Sequence, residues 1–296
     1  MAIDRSILQG VYDVHVHTGP STAKRSVDVV EMLREASEAG YAGFVTKDHY
    51  YPNLFGTKMI NDHLGSETTK AYGCLVLNNS VGGFNVNAVD KARQLGAAMV
   101  YFPTLSSKTH IDGHPGGFVG ASANASVEEE PLVIADSKGV MNPKAVEVLE
   151  YMAKNDMVLG TGHGNEIEVD ATVKKAVELG MKRILVTHPH YQVGATIEDM
   201  VRWAEMGAYI EINACVFADS GSVVEPVTPL AYAKEMIDAV GIDKVVIDTD
   251  YGQLANGSPV DGMYNFLVAL HDTFGYTAEE LSIMTKKNPK ELFGFK

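Results

Sequence analysis

Cysteine is nearly absent from this 296-residue chain: only Cys74 and Cys215 occur, far apart and without CxxC spacing. That excludes a disulfide framework and a cysteine-based zinc site. Basic residues are also in deficit. Lys and Arg number 24 against 38 Asp and Glu, and the net charge of −14 argues against an extended nucleic-acid surface, because phosphates are repelled. No apolar run approaches the roughly 18 residues that a membrane span needs. The first residues, Met-Ala-Ile-Asp-Arg-Ser, lack the charged-then-apolar pattern of a secretion signal. A cytoplasmic protein acting on a small molecule, with no nucleic-acid or membrane partner, is the expectation. A glycine-rich phosphate turn is missing too. The first strand ends His17-Thr-Gly-Pro20, and Gly160-Thr-Gly-His-Gly164 does not complete G-x-G-x-x-G.

What is present is a repeating rhythm. Hydrophobic residues make up 46% of the chain, enough for a substantial core. Short β-branched runs begin near residues 12, 43, 73, 98, 157, 183, 209 and 244, and a helical stretch follows each. Ser26 is placed to cap a helix through Ala39, and 53–72 reads as largely helical. Further helices are expected over 85–95, 143–155, 170–179, 197–206, 229–240 and roughly 260–295. Strands alternating with helices imply parallel pairing, and eight such units close a barrel. The expected fold is therefore a single (β/α)8 TIM barrel over 1–296, preferred to an open doubly wound sheet. One interval is long. Residues 103–141 form an insertion after strand four, with a hairpin around Asp136–Gly139, placed to act as a lid or a contact between copies of a homo-oligomer.

The histidines are not scattered. In Tyr12-Asp-Val-His-Val-His17 alternation sets His15 and His17 on one strand face, with Val14 and Val16 on the other. Paired imidazoles at a strand's carboxyl end can share one metal ion, although two ordinary histidines on a half-buried strand give the same pattern. The other strand ends decide between them. Lys47 and His49 follow strand two, His163 strand five, His188 and His190 strand six, and Asp250 strand eight. In a barrel these ends converge on one mouth, where such folds place their chemistry. Asp250 is preferred to Asp248 because it lies further into the mouth. His188 can serve the metal or the substrate, and His49 and His190 are placed to bind substrate. His110 and His114 fit a lid or a plain surface loop, Glu211 on strand seven fits a buried salt bridge, and His63 and His271 fall on helices as solvated residues.

With these residues assembled the chain resembles the amidohydrolase superfamily of metal-dependent hydrolases. That family places His-x-His on strand one, a bridging lysine or glutamate on strand four, histidines on strands five and six, and an aspartate on strand eight. His15, His17, His163, His188 and Asp250 match in order, across almost the whole chain. Strand four departs from the pattern: Val100-Tyr-Phe-Pro-Thr104 carries no acid or lysine, which leaves Lys47 or the late Lys108 as candidates for a carbamylated bridge. The resemblance implies a divalent ion, most simply zinc, with one ion favoured over two. It implies hydrolysis of an amide, lactone or ester by an activated water. Asp250 would be the proton acceptor, and His188 and Lys47 would polarise the carbonyl. The rivals are a single-metal decarboxylase of the same superfamily, a phosphoesterase with more ions, and a barrel that binds without turnover.

Overall fold

A computed structural model describes residues 3–65, 68–115, 117, 121–122, 126–217 and 228–295. The eight strands are β1 (Tyr12–Val16), β2 (Gly43–Thr46), β3 (Lys70–Val76), β4 (Met99–Tyr101), β5 (Leu159–Gly160), β6 (Ile184–Val186), β7 (Tyr209–Asn213) and β8 (Val245–Asp248). They pair in sequence order, every pair parallel. The ring closes just beyond β1 and β8, where Asp250 N donates to His15 O at 2.8 Å and His17 N to Tyr251 O at 2.7 Å. This is a (β/α)8 barrel.

Two apolar layers hold it. Alternate strand residues, among them Val45, Cys74, Tyr101, Leu185, Tyr209 and Val246, form the inner cluster. Their neighbours, such as Phe44, Leu75, Val100, Ile184, Ile210 and Ile247, face the helices in the outer one. Phe295 stacks on Tyr12 (4.8 Å) and Tyr72 (4.3 Å), so the carboxyl terminus plugs the end of the barrel where the strands begin. The chemistry is left to the opposite mouth.

The helices are α1 (Val29–Glu38), α2 (Leu54–His63), α3 (Val86–Gln94), α4 (Lys108–Gly113), α5 (Pro143–Lys154), α6 (Glu166–Glu178), α7 (Ile197–Glu205), α8 (Leu230–Val240), α9 (Pro259–Phe274), α10 (Ala278–Ser282) and α11 (Asn288–Phe293). Several boundaries differ from the sequence reading. The cap of α1 is Asp28, which accepts from Val30 and Glu31 while Glu31 reaches back to its N–H; Ser26 instead donates to Gly257 O. An Asn165–Glu168 capping box starts α6 four residues earlier than expected. The stretch 53–72 is helical only to His63, and Lys70 to Gly73 pair with β2. Lys70-Ala-Tyr alternates in burial and offers no apolar helix face, which favours the strand. Asp136 to Gly139 make the expected turn, with Ala135 bridged to Met141. Within the insertion, residues 116, 118–120 and 123–125 lie outside the described residues.

Candidate metal centre

Strand β1 delivers both histidines through an irregularity. Its register against β2 shifts between Asp13 and Val16, so Val14 joins the inner apolar cluster and Val16 the outer one. Simple alternation set both valines on one face. The added residue lets Val14 fill the barrel while His15 and His17 both reach the mouth.

Each imidazole is fixed by its Nδ1. His17 Nδ1 donates to Lys47 O at 2.9 Å, since a carbonyl only accepts, and His15 Nδ1 meets Glu211 Oε1 at 3.0 Å. Both Nε2 atoms are thereby aimed at one carboxylate oxygen: Asp250 Oδ1 lies 2.9 Å from His17 Nε2 and 3.2 Å from His15 Nε2. Burial, helped by the nearby Arg25 charge, pushes the His17 pKa down to about 3, so the ring is neutral and its Nε2 carries a lone pair. Burial works against ionisation of Asp250, but His15, His17 and His188 hold it well below the usual carboxylate range. The Nε2 atoms of both rings thus converge on Asp250 Oδ1, 2.9 and 3.2 Å away. Two imidazoles with a carboxylate are a donor set that could hold a divalent ion.

Glu211 is the hub beneath. Beyond His15, its Oε2 accepts from His188 N at 2.9 Å. His188 in turn donates from Nδ1 to Asn213 Oδ1 at 2.9 Å, and Asn213 Nδ2 donates to Asp248 Oδ1 at 2.7 Å. This points His188 Nε2 towards Asp250 Oδ2, 4.0 Å away. Asp248 is raised well above a normal carboxyl by burial and by the charges of Glu211 and Asp13, and lies in this lower network. Asp250 and His188 share a strained backbone, with φ of +49° and +50°. Each lies two residues past the end of its strand, in the left-handed region, and each is turned into the mouth.

The structure places the remaining candidates individually. Among the described residues, two groups bring ligand atoms within 4.8 Å of one another: His15, His17 and Asp250, and His15, His188 and Glu211. The second group is already joined by internal hydrogen bonds, so the first is the open position. His163 belongs to neither. Its ring lies 5.0 Å from His188 and 5.8 Å from His49, its Nδ1 is 3.0 Å from His110 Nδ1, and its Nε2 has no hydrogen-bond partner. Lys47 is fully buried; its Nζ sits 3.1 Å from His15 Nε2 and 4.5 Å above the Tyr101 ring. Lys108 is exposed on α4 and paired with Asp112, so it cannot bridge ions. His49 stacks on His17 at 4.9 Å and contacts Thr104 Oγ1 at 2.8 Å. His190 lies further out, with Nε2 3.2 Å from Thr228 Oγ1 and its ring against Phe217. His110 is buried against His163, and is no plain surface residue.

Sequence reasoning passed over Asn213, Cys215 and Arg25. Glu211 and Asn213 stand two apart on β7, the same spacing that marked His15 and His17, so alternation carried the signal. Cys215, one turn beyond β7, donates its thiol to Asp250 Oδ2 at 3.3 Å. Only the closed ring brings those strand ends together.

Fold and site together define a (β/α)8 barrel with an imidazole–carboxylate centre at its carboxyl mouth, of the amidohydrolase fold. The chain belongs to the family of unknown function DUF6282, whose sequence pattern matches residues 10–211. No protein of curated function matches it in sequence. Solved structures resemble this chain over nearly its whole length. A probable dipeptidase, PvdM, from Pseudomonas aeruginosa has a TM-score of 0.63 at 12% identity, covering 99% of this chain and 98% of that one. An amidohydrolase from the same organism gives 0.58 at 11%, covering 98% of each. Amidohydrolase 2 from Bifidobacterium longum subsp. infantis gives 0.56 at 14%, covering 97% and 100%. At such identities the likeness is one of fold.

Proposed function

We propose that the protein is a metal-dependent hydrolase that cleaves an amide, lactone or ester bond in a small molecule. One observation carries the reading: the Nε2 atoms of His15 and His17 lie 3.2 and 2.9 Å from Asp250 Oδ1, a donor set of two imidazoles and a carboxylate that suits a divalent ion. His15, His17 and Asp250 would hold the ion, taken as a single zinc, with His163 and His188 as the further imidazoles at the same mouth. The names of the fold neighbours, dipeptidase and amidohydrolase, point the same way.

A zinc ion held by His15, His17 and Asp250 would supply Lewis acidity, which makes water more acidic, towards a pKa of about 7. Asp250 takes the proton from the attacking water and returns it to the leaving group. Its Oδ2 is oriented for this by the Cys215 thiol. Lys47 Nζ faces the same space and would stabilise charge that develops on the substrate oxygen, while His188, whose Nδ1–H is spent on Asn213, would offer its Nε2 lone pair to a donor of the water or substrate. His49 and His190 line the approach and position the substrate. Exposed apolar side chains at Tyr51, Phe55 and Met59 suit self-association of a cytoplasmic enzyme.

The test combines elemental analysis of protein purified without chelator with turnover on ester, lactone and amide panels. About one zinc per chain and hydrolysis are expected. Asp250→Asn should keep part of the metal and lose roughly 10²-fold or more in kcat. Near-normal turnover in that variant refutes its role as base, and carbon dioxide release without a hydrolysis product refutes hydrolysis.

A further inference from the structure

The tip of β4 carries no acid or lysine; it carries Thr104, and Thr104 is engaged with His49. Thr104 and Asn78 are both buried, just beyond the ends of β4 and β3. Backbone partners fix the roles in this cluster. Asn78 Oδ1 accepts from Thr104 N at 2.8 Å and from Ser106 N at 3.2 Å, and a backbone N–H can only donate. Asn78 Nδ2 donates to His49 O at 2.9 Å, and a carbonyl can only accept. The amide is thus fixed at both ends, and its Nδ2 also donates to Thr104 Oγ1 at 2.8 Å. The Thr104 hydroxyl then has one proton to place. His49 Nδ1, 2.8 Å away, is the acceptor for it among the described residues. With a proton on His49 Nδ1 instead, Thr104 would receive two donors and keep a buried hydroxyl proton with nowhere to go, which is costly. A doubly protonated ring fails for the same reason. His49 therefore offers Nδ1 to Thr104 as a lone pair and keeps its proton on Nε2.

Two neighbouring rings are set the other way round. His17 donates from Nδ1 to Lys47 O, and His188 from Nδ1 to Asn213 Oδ1, so each is left with a lone pair on Nε2. The His49 ring stacks on His17 at 4.9 Å and lies 5.8 Å from His163, so its Nε2 belongs to the same mouth. A lone pair suits a cation, whereas an N–H suits an oxygen. We propose that His49 is a hydrogen-bond donor to the substrate, giving its Nε2–H to the carbonyl oxygen of the scissile amide, lactone or ester, and that Thr104 and Asn78 are positioning residues that hold the proton there. His49 is then a catalytic residue that is neither base nor metal ligand. The clause on the carbonyl rests on the hydrolase reading; the placement of the proton does not.

The proton is located by a long-range proton–nitrogen NMR correlation on the full chain, isotope-labelled at its histidine ring nitrogens, after chelation and again with zinc. The His49 signals are assigned by their loss in His49→Ala. In both spectra His49 is expected to show a protonated Nε2 and a bare Nδ1, opposite to His17 and His188 in the zinc-free protein. A proton on His49 Nδ1 overturns the relay. Loss of the Nε2 proton on adding zinc overturns the donor, since the ring is then a ligand. Kinetics on the ester, lactone or amide that the wild type turns over test the rest. His49→Ala should lower kcat and kcat/KM alike, by about 10²-fold. Thr104→Val should lose about tenfold, and Thr104→Ser, which keeps the hydroxyl, should stay within about twofold of wild type. Near-normal kcat in His49→Ala, or equal losses in the two Thr104 variants, overturns the catalytic role. Should His49→Ala fail to fold, His49→Gln supplies the assignment and the Thr104 pair decides. A wild type with the expected spectrum that turns over nothing retires the hydrolase reading and leaves the relay standing.

Discussion

Glu211 shows how one side chain can matter without touching an ion. Its two oxygens hold His15 Nδ1 at 3.0 Å and His188 N at 2.9 Å, so it sets the tautomer of one ring and the strand exit of the next. Replacing it by glutamine keeps the shape and offers an amide where a carboxylate accepted. The His15 ring is then free to present a proton instead of a lone pair. Glu211→Gln should weaken zinc affinity by about 10- to 100-fold, read by competition with a chromophoric chelator. Unchanged affinity would mean that the hub merely fills space. The pair Asp248 and Asp250 makes the same lesson from the other side. Both stand on one strand face, and a left-handed backbone at Asp250 (φ +49°) carries its carboxylate to the imidazoles while Asp248 stays in the lower network.

At the scale of elements, the site depends on how the ends of β1 and β8 meet. Gly252 lies at that seam with φ +111°, and a Cβ there would stand 1.7 Å from His17 O. Nothing flexible can yield, because the obstructing atom is backbone. Gly252→Ala should therefore lower stability by about 3 kcal/mol or more in urea unfolding and displace His17, with loss of zinc binding. A near-wild-type midpoint would show that the closure is looser than drawn. The cap of α1 offers a milder contrast. Asp28→Ala removes the acceptor for Val30 N and Glu31 N at 2.8 Å each, and should cost about 1 kcal/mol while leaving metal affinity unchanged.

For the whole molecule the histidine-rich mouth carries a stability cost in acid. Burial lowers the pKa of His110 to about 3 and of His190 to about 4, and His17, His49, His163 and His188 are lowered as well. Unfolded, each binds a proton near pH 6.5, so the unfolded chain takes up more protons as pH falls and is favoured. Asp13, raised to about 7 chiefly by burial, and Asp248, raised likewise, act the other way: they bind protons first in the folded state. Six imidazoles outweigh two carboxyls. Zinc-free protein should lose stability from pH 6.5 down towards pH 4, on the order of 1 kcal/mol per pH unit for each net proton, as a falling urea midpoint. A flat or rising midpoint over that range would show the rings to be solvated and not buried.

The barrel itself was legible in the sequence. Eight short apolar runs, each followed by an amphipathic stretch, allow little besides parallel strands closed into a ring, because burial on both faces of each strand writes itself into local periodicity. The strand ends, and so the inventory of residues at the mouth, followed from the same rhythm. Periodicity could not supply what depends on partners distant in the chain. The register shift that parts Val14 from Val16, the backbone turn that separates Asp250 from Asp248 and the place of His163 beyond the inner three ligand groups all arise where β1 meets β8 and the loops fold over. Sequence marked the strand ends that come to the mouth and several side chains on them; closure of the ring added Asn213 and Cys215 and decided which side chains meet, since contacts a few ångströms long are fixed by packing and not by spacing along the chain.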